Sequence, residues 1–178
     1  DVNTDLAPEG LEYRGTTVTR HFLWILIEEY GIDRLKEHFV RDLSGLKIAP
    51  FYGCYLLRPS DALGFAEVPS RETSLEQVIQ ATGAEVVESR SSKACCGLPI
   101  LFINQENTLR MVATNTGTAK DLGADVMVTP CPLCHINLDG YQAKAAKRNR
   151  PDGKIDLPML HLPQMIGLAM GFSPKELG

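Results

Sequence analysis

Asp125-Val126-Met127-Val128-Thr129-Pro130-Cys131-Pro132-Leu133-Cys134 is the stretch that decides the fold. A helical stretch from about Asn104 to Leu122 ends at Gly123, and the apolar run after it reads as a strand delivering a cysteine-bearing loop. A further helix is expected from about Cys131 to Lys147. Pro132 suits an early helical position, where its missing N–H costs nothing. Long helices alternating with short apolar runs imply an α/β domain with a parallel sheet and right-handed crossovers.

Outward from this stretch the same arrangement recurs. Leu46-Lys47-Ile48-Ala49-Pro50-Phe51 reads as a strand delivering Gly53-Cys54. An amphipathic helix near Ser74 to Ala81, with Ser74 as its expected cap, leads through Gly83 to Glu85-Val86-Val87 and on to Cys95-Cys96-Gly97. Leu157 to Leu160 is expected as a last strand and Pro163 to Met170 as a last helix. Upstream, Phe22, Leu23, Leu26 and Ile27 share one face of a helix expected from Thr16 to Tyr30, stopped by Gly31, with a shorter helix from about Asp33 to Phe39. Residues 55 to 73 read as a long loop beside the first cysteine. Residues 1–15 read as an arm or linker, and 16–178 as a single domain preceded by a helical segment, 16–40. Ligands of open parallel sheets sit beyond the carboxyl ends of the strands, where these cysteines would emerge.

A chain of 178 residues, 44% of them hydrophobic, supports one core. Its net charge of -4 gives no basic surface for nucleic acid. The longest apolar run, Phe22 to Ile27, is far too short for a direct membrane span, which takes roughly 20 residues. No leader pattern precedes it, and the first residue is Asp1 rather than Met, which leads to the expectation of a carboxy-terminal part of something longer. An odd number of cysteines, two of them adjacent, suits a reducing compartment, so the expected location is cytoplasmic.

All five cysteines, Cys54, Cys95, Cys96, Cys131 and Cys134, belong to one ordered pattern. A Cys-x-x-Cys opening a helix sets both sulfurs near unsatisfied backbone N–H groups, which favours thiolate. Gly53 and Gly97 beside the cysteines permit close backbone approach. The pattern points to metal. Zinc takes four ligands and would leave one cysteine over, whereas an iron-sulfur cluster with several metal atoms can use all five.

Phe51-Tyr52-Gly53-Cys54, Ala94-Cys95-Cys96-Gly97 and Thr129-Pro130-Cys131-Pro132-Leu133-Cys134, followed by Asn137-Leu138-Asp139, resemble the cysteine-rich CCG domain family. The likeness is to the second copy in the B-type, catalytic subunit of heterodisulfide reductases and extends from about Leu11 to Leu177. It implies a Rossmann-like parallel sheet and a noncubane 4Fe-4S cluster held by all five cysteines. It implies an oxidoreductase that reduces a disulfide to two thiols, or the reverse, inside a complex. Electrons would come from two partner subunits, one a ferredoxin-like iron-sulfur protein and the other flavin-containing. In that family the catalytic polypeptide has two such motifs, so a second is expected upstream in the same chain. Two alternatives stand beside this: an iron-sulfur subunit of a lactate, glycolate, succinate or fumarate oxidoreductase, and a zinc-binding structural module.

Among other residues, His135 follows Cys134 and is a candidate catalytic residue, as a donor to a cluster sulfur or to substrate. His161 reads as a capping or core histidine at the same sheet edge, and His21 and His38 as structural. Lys93, Arg58 and Arg90 are candidates to offset thiolate charge. Asn104 and Asn107 read as caps or surface residues of their helix. Leu101, Phe102 and Ile103 read either as a shield for the site or as core. The basic run Lys144, Lys147, Arg148, Arg150 and Lys154 reads as a solvated helix end, with docking of an acidic electron-transfer partner as the alternative.

Overall fold

The computed structural model describes residues 1–65 and 68–178. The amino-terminal residues carry a short helix, α1 (Val2–Leu6), and a 3-10 turn (Ala7–Glu9), with no residue buried. The next helix starts at the first residue of its apolar face, later than the expected Thr16. α2 (Phe22–Trp24) opens at His21, whose Nδ1 accepts the Leu23 N–H at 3.2 Å, and continues as a π-helix (Ile25–Tyr30). Thr16 to Arg20 lie outside it; the β-branched run Thr16-Thr17-Val18-Thr19 disfavours helix. α3 (Ile32–Lys36) follows.

The sheet and its helices then alternate. β1 (Lys47–Pro50) is followed by α4 (Ser60–Leu63), a 3-10 segment (Pro69–Thr73), α5 (Ser74–Ala81) and β2 (Glu85–Val86). The expected 55–73 loop therefore carries helical turns, and its residues 66 and 67 lie outside the described residues. Thr73, not Ser74, is the cap position of α5; the Ser74 hydroxyl donates instead to the Arg71 carbonyl at 2.8 Å. α6 (Gln105–Asp121) is capped by Asn104, whose side chain accepts the Asn107 N–H. β3 (Val126–Thr129) leads to α7 (Pro132–Gly140) and α8 (Gln142–Asn149). The single helix expected over Cys131 to Lys147 is divided at Tyr141, after Gly140, a residue that weakens helix interiors. β4 (Met159–His161), α9 (Leu162–Ala169) and α10 (Pro174–Leu177) close the chain.

Among the described residues the strands form one parallel sheet in the order β2-β1-β3-β4. Alternate side chains serve opposite faces. Ile48, Val126 and Val128 join one core with Leu23, Leu35, Leu75, Ile79 and Ile166. Ala49, Met127 and Met159 join the other, with Leu109, Val112, Leu138 and Ala145. The result is a three-layer α/β/α sandwich whose central strands, β1 and β3, are buried on both faces over most of their length. The alternation continues past β1, with Phe51 packed on one face and Tyr52 on the other.

Candidate functional site

Cys54 and Cys131 follow closely on the ends of β1 and β3, and Cys95-Cys96 come after a longer loop that leaves β2. Beyond β1 the chain stays extended: Phe51 N–H donates to Val128 O at 2.8 Å, and Tyr52 N–H to Ser92 O at 2.7 Å. Gly53 then turns with φ of +76°, a conformation that glycine adopts freely. A Cβ on Gly53 would lie 2.7 Å from Cys134 Sγ. This glycine therefore keeps open the space in which the β1 and β3 loops meet.

The Cys54 and Cys95 sulfurs lie 3.9 Å apart, although forty residues separate them. Gly97, at φ of +93°, donates its N–H to Cys95 Sγ at 3.4 Å. Two buried amides hold the adjacent cysteines from behind. Asn115 on α6 donates to Cys95 O at 2.9 Å, and Asn137 on α7 donates to Cys96 O at 2.8 Å. The Thr108 hydroxyl donates to Gly97 O at 3.0 Å. Asn115 and Thr108 carried no sequence signal of their own, because their value depends on which helix face meets the Cys95-Cys96 turn.

Cys131 caps α7 and Cys134 lies one turn inside, buried. The Cys134 thiol hydrogen-bonds to the sulfurs of Cys131 and Cys96, which raises its own pKa strongly; burial adds to this. The same bond from Cys134 brings Cys131 down to about 6, assisted by the Cys134 and Leu133 N–H groups, against the cost of burial. Cys96 comes down to about 7, again through Cys134 first, with the Leu98 N–H contributing. Burial, and then Cys95, push the Cys54 thiol up. All five thiols are thus in one interacting set, arranged as the Cys54–Cys95 pair and the Cys96–Cys134–Cys131 trio. Among the described residues no three His, Cys, Asp or Glu side chains close around a single ion position.

The other expected residues are placed as follows. His135 Nε2 lies 3.2 Å from Met159 O, so this nitrogen must carry a proton, and Nδ1 of the neutral ring is an acceptor. His161 caps α9 with its side chain and meets Pro130 O through Nε2 at 3.2 Å, bracing the loop before Cys131. His38 pairs with the Tyr30 hydroxyl. Lys93 stands 5.4 Å over the Phe65 ring. Leu101 is buried, while Phe102 and Ile103 are 96% and 86% exposed, so neither packs in the core. In the basic run Lys144 bonds to Gln105 and Arg150 forks onto Asp121.

Residues 48–139, which span all five cysteines and the three strands that deliver them, match the CCG cysteine-rich domain. The chain belongs to the CCG cysteine-rich domain family. It is 38% identical over 177 residues to the 8-methylmenaquinol:fumarate reductase membrane anchor subunit of Wolinella succinogenes, covering 99% of this chain and 61% of that protein. It is 35% identical over 180 residues to the B-type subunit of a ferredoxin:CoB-CoM heterodisulfide reductase of Methanosarcina mazei, covering 99% of this chain and 58% of that one. A protein of Archaeoglobus profundus that is like the same heterodisulfide reductase subunit is also 35% identical, over 181 residues, with 99% and 59% covered. The chain therefore spans about three-fifths of the length of these relatives. A crystal structure of a hypothetical protein from Helicobacter pylori shares the fold with a TM-score of 0.67 at 19% identity, covering 99% of this chain and 30% of that one. No helix among the described residues is long and apolar enough to cross a membrane.

Proposed function

We propose that the five cysteines hold an iron-sulfur cluster and that the chain works in the catalytic, B-type subunit of a heterodisulfide reductase-like enzyme, interconverting a disulfide and two thiols. The observation that carries this reading is the meeting of Cys54, Cys95, Cys96, Cys131 and Cys134 at the carboxyl ends of three neighbouring strands. The donor set fits such a group. Its five thiols fall into a pair and a trio rather than one tetrahedral nest, and Gly53 leaves beside Cys134 Sγ the room that a side chain would fill. The noncubane 4Fe-4S type is the form we assign. Bound there, it would supply electrons and thiophilic iron for a substrate sulfur.

The chain's own residues do the rest. Gly97 and Leu98 offer N–H groups to the Cys95 and Cys96 sulfurs, which lowers the charge they present. Asn115 and Asn137 hold the Cys95-Cys96 turn, and buried Phe51 and Leu138 exclude water from the side facing α7. His135, held through Nε2 by β4, offers Nδ1 as a proton acceptor and becomes a donor only when the ring is charged. Reduction of a disulfide consumes two electrons and two protons. The electrons are assigned to partner subunits, a ferredoxin-like iron-sulfur protein and a flavoprotein, and a second CCG motif upstream in the full-length protein completes the site. The proposed location of the complex is the cytoplasm.

Iron, zinc and acid-labile sulfide per chain, measured on protein prepared without oxygen, test this. About four irons with matching sulfide are expected, and Cys95→Ala with Cys96→Ala should abolish both. About one zinc without sulfide would make the chain a structural zinc module instead.

The similarity to a fumarate reductase subunit, at 38% identity, favours a second reading in which the same centre passes electrons in a fumarate, succinate, lactate or glycolate oxidoreductase. Reoxidation of the reduced complex by a disulfide, and not by fumarate, separates the two.

A further inference from the structure

Phe102 and Ile103 are large apolar side chains that the fold leaves almost wholly in water. They stand at the tip of the turn that leaves Cys95-Cys96-Gly97, after the 3-10 segment Leu98–Ile100 and before the Asn104 cap of α6. Leu101, the residue before them, is buried and anchors the turn. The tip is firmly built: the Ile103 N–H donates to Ile100 O at 3.0 Å, and the Asn104 N–H to the same carbonyl at 2.7 Å. On α7, which packs against the Leu98–Ile100 segment, Leu133 and Ile136 lie three residues apart on one side of the helix and are exposed as well. Single exposed apolar side chains need no explanation, but four of them on adjoining elements around one turn mark a contact face.

Cations flank this tip. Lys144 on α8 donates at 2.8 Å to Oε1 of Gln105, two residues past Ile103. Lys147 and Arg148 follow on α8, both exposed and neither paired with a carboxylate among the described residues. α8 holds no acidic side chain, in a chain whose net charge is -4. The local charge is thus opposite in sign to that of the whole molecule, and such a patch steers and orients an acidic partner. Two exposed carboxylates interrupt the face: Glu106 on α6, 3.5 Å from Arg110, and Asp139 on α7. A protein surface can set its own charges around these, whereas a uniformly anionic lipid surface is repelled by them.

We propose that Phe102, Ile103 and the basic side of α8 form the docking face for a small acidic one-electron carrier protein, with apolar contact at the tip and cations at the rim. The inference rests on the iron-sulfur reading above and adds the surface through which that centre receives electrons. Phe102 is the sixth residue after Cys96, and the turn that leads to it is pinned to α6 through Thr108 and Asn115, so a partner seated there rests against the ligand loop itself. Each encounter oxidises the carrier by one electron, and the two electrons that one disulfide consumes come from two encounters.

The test is equilibrium binding to the full-length protein, prepared without oxygen and with iron counted on the same sample. The probes are a plant-type 2Fe-2S ferredoxin, which is small and acidic, cytochrome c, which is small and basic, and phosphatidylserine vesicles. Saturable binding of the ferredoxin and none of the cytochrome is expected, weakening about tenfold between about 50 and about 300 mM salt. Lys147→Glu with Arg148→Glu should weaken ferredoxin binding about tenfold, and Phe102→Ser about fivefold or more. Both variants change only exposed side chains, so iron content should stay at the native level. Equal ferredoxin binding by native and variant proteins, no ferredoxin binding at full iron content, tighter binding to the vesicles, or a Phe102-dependent self-association in sedimentation would overturn the docking assignment and leave the cluster reading intact. Iron and sulfide both absent would overturn the cluster reading, and the electron-receiving role of this face with it.

Discussion

Asn137 donates its side-chain amide to the backbone carbonyl of Cys96 at 2.8 Å, across a sequence separation of 41 residues, and both residues are buried. This bond joins the helix that carries Cys134 to the turn that carries Cys95 and Cys96. Removing it leaves a buried carbonyl without its donor, at a cost of about 1–3 kcal/mol.

Asn137→Ala is expected near the low end of that range, because Asn137 Oδ1 itself has no hydrogen-bond partner and its loss relieves a second burden. Asn137→Asp should cost more, since it sets a carboxylate against the Cys96 carbonyl. Urea denaturation of the reduced protein gives the ranking, and iron retained on anaerobic gel filtration should fall in the same order.

Gly53→Ala meets two obstacles, the positive φ and the Cys134 sulfur 2.7 Å from the new Cβ. The backbone strain alone amounts to about 1–2 kcal/mol. The expected outcome is a folded chain with sharply reduced iron and sulfide content. Unchanged metal content would show that the β1 and β3 loops are not packed against one shared group.

The Arg71–Glu28 pair is largely buried, with side-chain exposures of 11% and 22%. Arg71→Ala should destabilise by about 3 kcal/mol, since it strands the Glu28 charge and frees the Leu63 and Gly64 carbonyls. The pH dependence follows from Glu28. The Arg71 hydrogen bond holds its pKa below the ordinary glutamate value, so the stabilisation is complete above the unfolded-state pKa and is lost as pH falls through the lower folded value. Stability curves of the native protein and Glu28→Gln should therefore be separated at pH 7 and draw together only as pH falls below the ordinary glutamate pKa of about 4.3 toward the lower folded value.

Tyr52 connects the first cysteine loop to α5. Its hydroxyl bonds to Glu76 and accepts the buried Leu75 N–H at 2.9 Å, and burial raises its pKa well beyond the usual range. Tyr52→Phe should cost about 1–2 kcal/mol in chemical denaturation. It should leave the iron content near that of the native chain, because the lost bonds point away from the cysteines.

The parallel α/β architecture and the grouping of the five cysteines are legible in the residues alone. Both are local in origin: apolar runs leading to Gly53, through a longer loop to Cys95-Cys96-Gly97, and to Pro130, with crossover helices between them, leave few ways to arrange the strands. Helix ends were less legible. The start at Phe22 and the break at Tyr141 depend on the His21 cap and on the Gly140 step.

The support of the site becomes visible only in the folded chain. Asn115, Asn137 and Thr108 act on carbonyls of residues 11 to 41 positions away, and a buried amide has value only where the fold places an unpaired group opposite it. A cavity beside Cys131 has the same origin. Its walls, Thr19–Trp24 and Tyr55–Leu63, are distant in sequence and ordinary in composition, and the fold brings them together on one core, with Arg71 bonded to the Leu63 carbonyl and stacked over Trp24. Periodicity encodes burial along a segment; it carries no information about which distant segment will face it.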